Sequence, residues 1–303
     1  MIGGLKKDSP GIHDPFSFPV TYDPSPITFL SMQFGFSTYF SMQKPIGQII
    51  GELTEKGIRT IELSYELPHV LTMDESFIAK VSELRKNGVE FSMHGPFFEI
   101  NLGSYIEEVR KISKERNKKA IVMAAKIGCD PLVIHPGYSF MTKRVKELEE
   151  RLRIRFIEDL REITAFASQQ GVRIALENVH MPYFFFCDLK EFPGLQQLVP
   201  GIGMTLDLGH AYLTKRANGS RDPEGEILAD IRAVGIENIF HVHLHNNTGE
   251  RDDHLFLKGD IDMKRLVNGL KDLGYDGKII VESFEMEERG IEPVLERLNA
   301  ISA

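Results

Sequence analysis

Short runs in which apolar and polar positions alternate recur along the chain, separated by longer runs with apolar positions every three to four residues. The first pattern is typical of strands and the second of amphipathic helices. The predicted strands are Ile27–Phe34, Arg59–Ser64, Glu90–His94, Pro131–His135, Val172–Glu177, Gly203–Leu208, Asn238–Leu244 and Lys278–Ser283. The predicted helices that follow them are Pro45–Lys56, Asp74–Asn87, Ser104–Ile127, Lys143–Gln169, Asp188–Val199, Asp222–Val234, Asp262–Leu273 and Ile291–Ile301.

This strand–helix repeat predicts the architecture. Eight units over residues 27–303 indicate an α/β fold, a single-domain (β/α)₈ barrel with an inner wall of parallel strands. Residues 1–26 hold five prolines and little periodicity, so we expect them to form an N-terminal extension. No second domain is predicted.

The alternation within each strand predicts which side chains point into the barrel. In each strand, one set of alternate residues is apolar and suits packing under the helices. The other set is therefore expected to point into the barrel interior. Six successive strands, the third to the eighth, then contribute an inward residue able to bind a metal, at or next to the carboxyl end of the strand. These residues are His94, His135, Glu177, Asp207, His243 and Glu282. Barrel enzymes carry their active sites at this end.

The stretch from Phe240 to Asp262 concentrates this chemistry. His241, His243 and His245 share one face of the seventh strand, and Asp252 and His254 follow in one loop. Imidazoles are a poor core material because each needs hydrogen-bond partners or a metal. Metal binding is therefore the leading interpretation of this segment.

Composition narrows the classes of protein that the chain can represent. The 303 residues carry a net charge of −8, so no general attraction to nucleic acid or anionic membrane is expected. Two cysteines are too few for a disulfide framework. No apolar run reaches membrane-spanning length, and no signal pattern opens the chain. The sequence predicts a cytoplasmic protein.

Taken singly, the inward residues have ordinary explanations. A lone histidine such as His135 is more often hydrogen-bonded in a core than bound to a metal, and Glu177 could cap a helix or pair with a lysine. Glu177, Asp207, His243 and Glu282 together are different, because three carboxylates converging on one barrel mouth would repel each other and be costly to desolvate. A divalent cation removes that conflict. Mixed oxygen and nitrogen donors suit Zn²⁺, Mn²⁺, Mg²⁺, Co²⁺ or Fe²⁺, and no nucleotide cofactor is expected.

Seven segments spread over the barrel resemble a known superfamily, the xylose-isomerase-like barrels. It contains sugar isomerases, ketose 3-epimerases, inosose-processing enzymes and endonuclease-IV-type apurinic endonucleases. The matching segments are HGPFFEINLG (94–103), VIHPG (133–137), ALEN (175–178), TLDLGH (205–210), HVHLHN (241–246), DDHLFLKGDID (252–262) and IIVESF (279–284). Together they are specific for the superfamily, but they do not separate its members.

The resemblance implies two alternative ligand sets. The single metal site of the epimerases corresponds to Glu177, Asp207, His243 and Glu282. The three-metal site of the endonucleases implies further ligands, which are His94, His135, His210, Asp252 and His254. In the epimerases, the position of His210 lies near the substrate instead.

We expect a metal-dependent isomerase or epimerase acting on a small carbohydrate or sugar phosphate. Its chemistry would be proton abstraction next to a carbonyl through a metal-stabilised enediolate. Glu177 and Glu282 would act as the acid/base pair, with His210 as a third catalytic residue. The residues expected to contact substrate are His94, Phe97 and Arg251. A homo-oligomer is compatible with the sequence.

An apurinic endonuclease of the trinuclear zinc type is the alternative, followed by a non-catalytic sugar-binding protein. Two features argue against nucleic acid as a partner. The loop after His94 contains Phe97-Phe98-Glu99, with a carboxylate where phosphates would approach. The predicted mouth loops also hold many acids and no clear track of basic residues. These acids are Glu66, Glu99, Asp188, Asp222, Glu224, Glu226, Glu250, Asp253, Glu285, Glu287 and Glu288.

Overall fold

A computed structural model describes residues 32–140 and 144–302. Within these ranges eight parallel strands pair in chain order and close into a barrel, as predicted. The strands are β1 (Gln33–Ser37), β2 (Thr60–Ser64), β3 (Glu90–His94), β4 (Leu132–Ile134), β5 (Ile174–Glu177), β6 (Gly203–Asp207), β7 (Ile239–Leu244) and β8 (Lys278–Val281). The predicted extension, residues 1–26, lies outside the described residues.

The first strand lies further along the chain than the predicted Ile27–Phe34, of which residues 27–31 are outside the described part. Barrel closure explains the difference. Phe36 pairs with Ile61 of β2 on one side and with Val281 of β8 on the other, so the segment that completes the ring is Gln33–Ser37.

The helices surround the barrel. They are α1 (Ile46–Glu55), α2 (Glu75–Lys86), α3 (Glu107–Ile127), α4 (Lys146–Gln169), α5 (Phe192–Leu198), α6 (Leu208–Ala217), α7 (Pro223–Val234), α8 (Met263–Asp272), α9 (Glu285–Arg289) and α10 (Ile291–Ser302). Two of these helices, α6 and α9, are not among those predicted from the sequence pattern. Helix α6 starts at the residue after β6 and is buried from Leu208 to Lys215, so it lacks the polar face that marks an amphipathic helix.

Side chains of opposite parity on each strand have different surroundings. Phe91 and Met93 of β3 belong to one continuous apolar cluster that also contains helix residues such as Ile121. The alternate residue Ser92 is buried outside that cluster and donates a hydrogen bond to Glu62 of β2, 3.3 Å away. The apolar core thus lies between strands and helices, while the barrel interior also contains buried polar side chains such as Ser92 and Glu62.

None of the helices in the described ranges combines the length and apolar character needed to cross a bilayer.

The close packing of β1 against β2 predicts that a side chain at Gly35 would destabilise the fold. A Cβ atom at Gly35 would overlap the carbonyl group of Thr60, and this backbone can move only by disturbing the β1–β2 pairing. We expect Gly35→Ala to lower the free energy of unfolding by about 1–3 kcal/mol or more. Gly194 in α5 is the matched control, because a Cβ there meets nothing within 4 Å. Gly194→Ala should be neutral or stabilise by up to about 1 kcal/mol. Denaturant unfolding measures both, and equal effects would contradict this account of the β1 packing.

Candidate metal centre

Three buried side chains at the ends of β5, β6 and β7 form the centre of the site. Glu177, Asp207 and His243 each offer a donor atom, and these atoms all lie within 4.8 Å of one another. His243 Nδ1 is 3.6 Å from Glu177 Oε1 and 3.9 Å from Asp207 Oδ2. Glu282, which follows β8, places Oε2 at 3.5 Å from the same nitrogen but is not part of the three-residue cluster.

These distances suit a shared cation better than direct hydrogen bonds. Donor atoms about 2.1 Å from one ion in tetrahedral coordination lie about 3.4 Å apart. Asp207 Oδ2 and His243 Nδ1 are both buried and make no hydrogen bond in the described structure. Buried polar atoms without partners are costly, and a cation between them would relieve that cost. The donor set of two carboxylates and an imidazole fits a divalent metal ion.

Local backbone structure positions Asp207. This residue ends β6 and is also the N-cap of α6, where Oδ1 accepts a hydrogen bond from the backbone N–H of His210 at 2.6 Å. His245 Nε2 lies 3.1 Å from the same oxygen. The Asn178 side chain fixes the strand end by pairing with the backbone N–H and carbonyl of Asp207, each at 2.9 Å. One carboxylate oxygen is thus held in place, and Oδ2 is left facing the centre.

A second group of donors lies beside the first. His210, His245, Asp252 and His254 bring one donor atom each to within 4.8 Å of the others. Asp252 Oδ2 is 3.1 Å from His210 Nε2 and 3.3 Å from His254 Nε2. A Cβ at Gly209 would overlap the His245 ring, so glycine at this position lets α6 approach the histidines.

The backbone at His254 is also unusual. It has a φ of 43°, in the left-handed region that few non-glycine residues adopt. Such conformations cluster at functional sites, where the surroundings hold them in place.

His94 and His135 form a third group with Glu177. Their Nε2 atoms lie 3.4 Å and 3.1 Å from Glu177 Oε2. Glu177 therefore belongs to two groups, with Oε1 towards His243 and Oε2 towards this pair. The Phe97 ring covers them, with centroid distances of 5.1 Å to His94 and 4.7 Å to His135.

The two glutamates differ in charge state. Burial alone would raise the pKa of Glu177, but the imidazoles of His135 and His243 hold it well below its usual range. Burial raises the pKa of Glu282 to about 8; the imidazole of His243 opposes this effect, and the nearby carboxylates of Glu177 and Glu62 add to it. The surroundings thus favour the ionised form of Glu177 and the neutral form of Glu282.

Arg251, the third residue expected to contact substrate, lies apart from these groups of donor residues. The Arg251 side chain is 83% exposed, with Nε 3.7 Å from Asp253 Oδ1. Its role towards a substrate stays a prediction.

Several of the acids assigned to the mouth have internal roles. Glu66 is buried and accepts hydrogen bonds from the backbone N–H groups of Phe97 and Phe98, at 2.6 Å and 2.7 Å. Glu285 does the same for residues 256 and 257, and Glu224 accepts from the backbone of Asp262. These three carboxylates stabilise loops by accepting backbone hydrogen bonds. The number of acids at the mouth is therefore a weaker argument against nucleic-acid binding than the sequence indicated.

Glu62, a fully buried carboxylate in the middle of β2, is a site residue that was not predicted from the sequence. Its Oε2 atom lies 2.8 Å from His241 Nε2, and its Oε1 atom lies 3.3 Å from His243 Nε2. A signal for it was present, because Glu62 alternates with the apolar Ile61 and Leu63 and so has inward parity. Tyr39 also lies at the mouth. Its ring centroid is 5.5 Å from that of Phe97 and 6.2 Å from that of Phe284, a contact that depends on three separate loops.

Comparison with known proteins matches residues 50–301 to the family described as xylose isomerase-like TIM barrel. An uncharacterised protein of Methanocaldococcus jannaschii is 31% identical over 263 residues, covering 84% of both chains. A crystal structure of a D-tagatose 3-epimerase-like protein superposes with a TM-score of 0.71 at 28% identity, covering 89% of this chain and 98% of that one. A probable endonuclease 4 of Thermotoga sp. (strain RQ2) is 25% identical over 185 residues, covering 58% of this chain and 62% of that protein.

Proposed function

Because the chain belongs to the xylose isomerase-like TIM-barrel family, we propose that it is a divalent-metal-dependent isomerase or epimerase of a small sugar or sugar phosphate. The observation that carries the proposal is the buried group of Glu177, Asp207 and His243, with Glu282 beside it. Similarity to the D-tagatose 3-epimerase-like structure supports a carbohydrate substrate.

Glu177, Asp207, His243 and Glu282 would hold the metal. When bound, a divalent cation supplies Lewis-acid polarisation of substrate oxygens. Zn²⁺, Mn²⁺, Mg²⁺, Co²⁺ and Fe²⁺ all suit these donors.

In the protein's own proton chemistry, one of the two glutamates would remove a proton from the carbon next to a carbonyl, and the other would return one from the opposite side. A cation bound between them would keep both carboxylates largely ionised until substrate arrives, so each can begin as a base. The two residues come from β5 and β8, so they approach a sugar held between them from different sides of the barrel. His210, buried between Asp207 and Asp252, would hold a substrate oxygen. The Phe97 ring and His94 would exclude water, and Arg251 would contact substrate from the outer loop.

Asp207→Asn tests the metal site. Asparagine retains the oxygen that caps α6 but replaces Oδ2, so we expect the fold to persist while Zn²⁺ or Co²⁺ affinity falls at least about tenfold. Asp159→Asn is the control, because Asp159 is equally buried but pairs with Arg110 and Lys114 between α3 and α4. Metal content per chain, measured by elemental analysis beside a thermal melt, distinguishes the two. Unchanged metal content in Asp207→Asn would remove this residue from the site.

Glu177→Gln and Glu282→Gln test the proton transfer. Either should reduce turnover of a confirmed sugar substrate by about 10²–10⁴-fold, with a smaller loss of metal affinity than in Asp207→Asn. In heavy water, the wild type should introduce deuterium at the carbon next to the carbonyl. Conversion without solvent deuterium would favour a hydride shift instead and would contradict the assignment of the two glutamates.

Phosphodiester hydrolysis at abasic DNA is the second candidate function. It is favoured by the presence of all three donor groups, including His94 with His135 and Asp252 with His254, and by similarity to the probable endonuclease 4. Against it, the sequence of the mouth loops shows no clear track of basic residues, and the loop after His94 carries a carboxylate, Glu99.

We expect zinc-loaded protein to leave a duplex with an abasic site intact at physiological salt. Gel analysis of a labelled duplex gives the answer. Efficient incision beside the abasic site that is abolished by His94→Ala would replace the sugar proposal with the nuclease.

A further inference from the structure

Glu62 is a carboxylate in the polar interior of the barrel, below the proposed metal ligands. It is fully buried, and its hydrogen-bond partners among the described residues are Ser92, His241 and His243. None of these carries a permanent positive charge. A buried carboxylate is costly unless its partners are fixed donors, so its position beside two imidazoles needs a functional explanation.

The contacts of His243 supply that explanation. Its Nε2 atom faces Glu62, at 3.3 Å from Oε1 and 3.4 Å from Oε2, while its Nδ1 atom faces Glu177, Asp207 and Glu282 at 3.5–3.9 Å. A neutral imidazole carries one proton, and a carboxylate accepts that proton but cannot donate one when ionised. With Nε2–H directed at Glu62, the lone pair of Nδ1 is available for a metal.

His241 fixes Glu62 in turn. It precedes His243 by two residues on the same strand face, and its Nε2 atom lies 2.8 Å from Glu62 Oε2. Glu62 is therefore held in place by His241 and in turn orients His243. Carboxylates that accept the second N–H of a metal-bound histidine commonly contribute about 10–100-fold to metal affinity.

We propose that Glu62 is the positioning residue of the metal centre, which sets the tautomer and ring orientation of His243. This role rests on the proposed metal site and concerns a residue that would not itself bind the ion.

Glu62→Gln is the direct test. The amide has nearly the same size but places an NH₂ group against one of the imidazoles, which then must accept at Nε2 and carry its proton on Nδ1. We expect the affinity for Co²⁺ to fall about 10–100-fold at unchanged stoichiometry, with an altered visible absorption spectrum of the bound ion. Glu66→Gln is the matched control, because Glu66 is also buried, lies just after β2 and accepts hydrogen bonds from backbone N–H groups of the Phe97 loop. Its Co²⁺ affinity and spectrum should match those of the wild type.

A measurement on the unmodified protein covers the case in which Glu62→Gln fails to fold. In ¹⁵N-histidine-labelled protein, addition of Zn²⁺ should convert the His243 ring to the form with metal on Nδ1 and a proton on Nε2. That proton should exchange slowly with solvent, since Glu62 is fully buried. Metal on Nε2, or loss of the Nε2 proton, would overturn the proposal.

These outcomes distinguish a failure of the role of Glu62 from a failure of the metal centre. Wild-type affinity and spectrum in Glu62→Gln would reject the role of Glu62 and leave the metal centre standing. A wild-type protein that binds neither Co²⁺ nor Zn²⁺ would reject the metal centre and the role of Glu62 with it.

Discussion

The structure of the barrel mouth depends on the burial of acidic side chains among imidazoles. Glu62, Glu177, Asp207 and Glu282 are at most 4% exposed, and in the described structure the ion-pair partners found for them are histidines rather than lysines or arginines. Histidines can neutralise such a cluster by holding protons. To become protonated, however, a buried histidine has to overcome the cost of desolvation and the repulsion from other protonated histidines. A divalent cation does so more completely, because it supplies two charges at the point where the free donor atoms converge. The metal centre is thus the simplest account of why this interior is polar.

The scaffold is built around that constraint. Asp207 serves two purposes, since one oxygen caps α6 while the other is left for the centre. Asn178 ties the ends of β5 and β6 together, so that Glu177 and Asp207 are held at a fixed separation. Glu66 performs a similar task for the loop that carries Phe97 over the histidines. The candidate ligands are thus held in place by hydrogen bonds from residues such as Asn178 that would not themselves bind an ion.

The sequence predicted the barrel because strand and helix periodicities alternate eight times, and the prediction is confirmed. It also brought Glu177, Asp207 and His243 together, because parallel strands end at one rim and each residue stands at such an end. It missed α6, which is buried from Leu208 to Lys215, and it ended β1 at Phe34 rather than at Ser37, since only pairing with β2 and β8 decides that register. The role of Glu62 depends on contact with residues about 180 positions away, which no local pattern encodes.

Anomalous diffraction from crystals grown with Zn²⁺ tests the central claim most directly. The account predicts a peak within about 2.0–2.2 Å of Glu177, of Asp207 Oδ2 and of His243 Nδ1, with Glu62 contacting the Nε2 side of that histidine and no ion. A fully occupied peak between Glu62 and His241, or no peak among Glu177, Asp207 and His243, would contradict it.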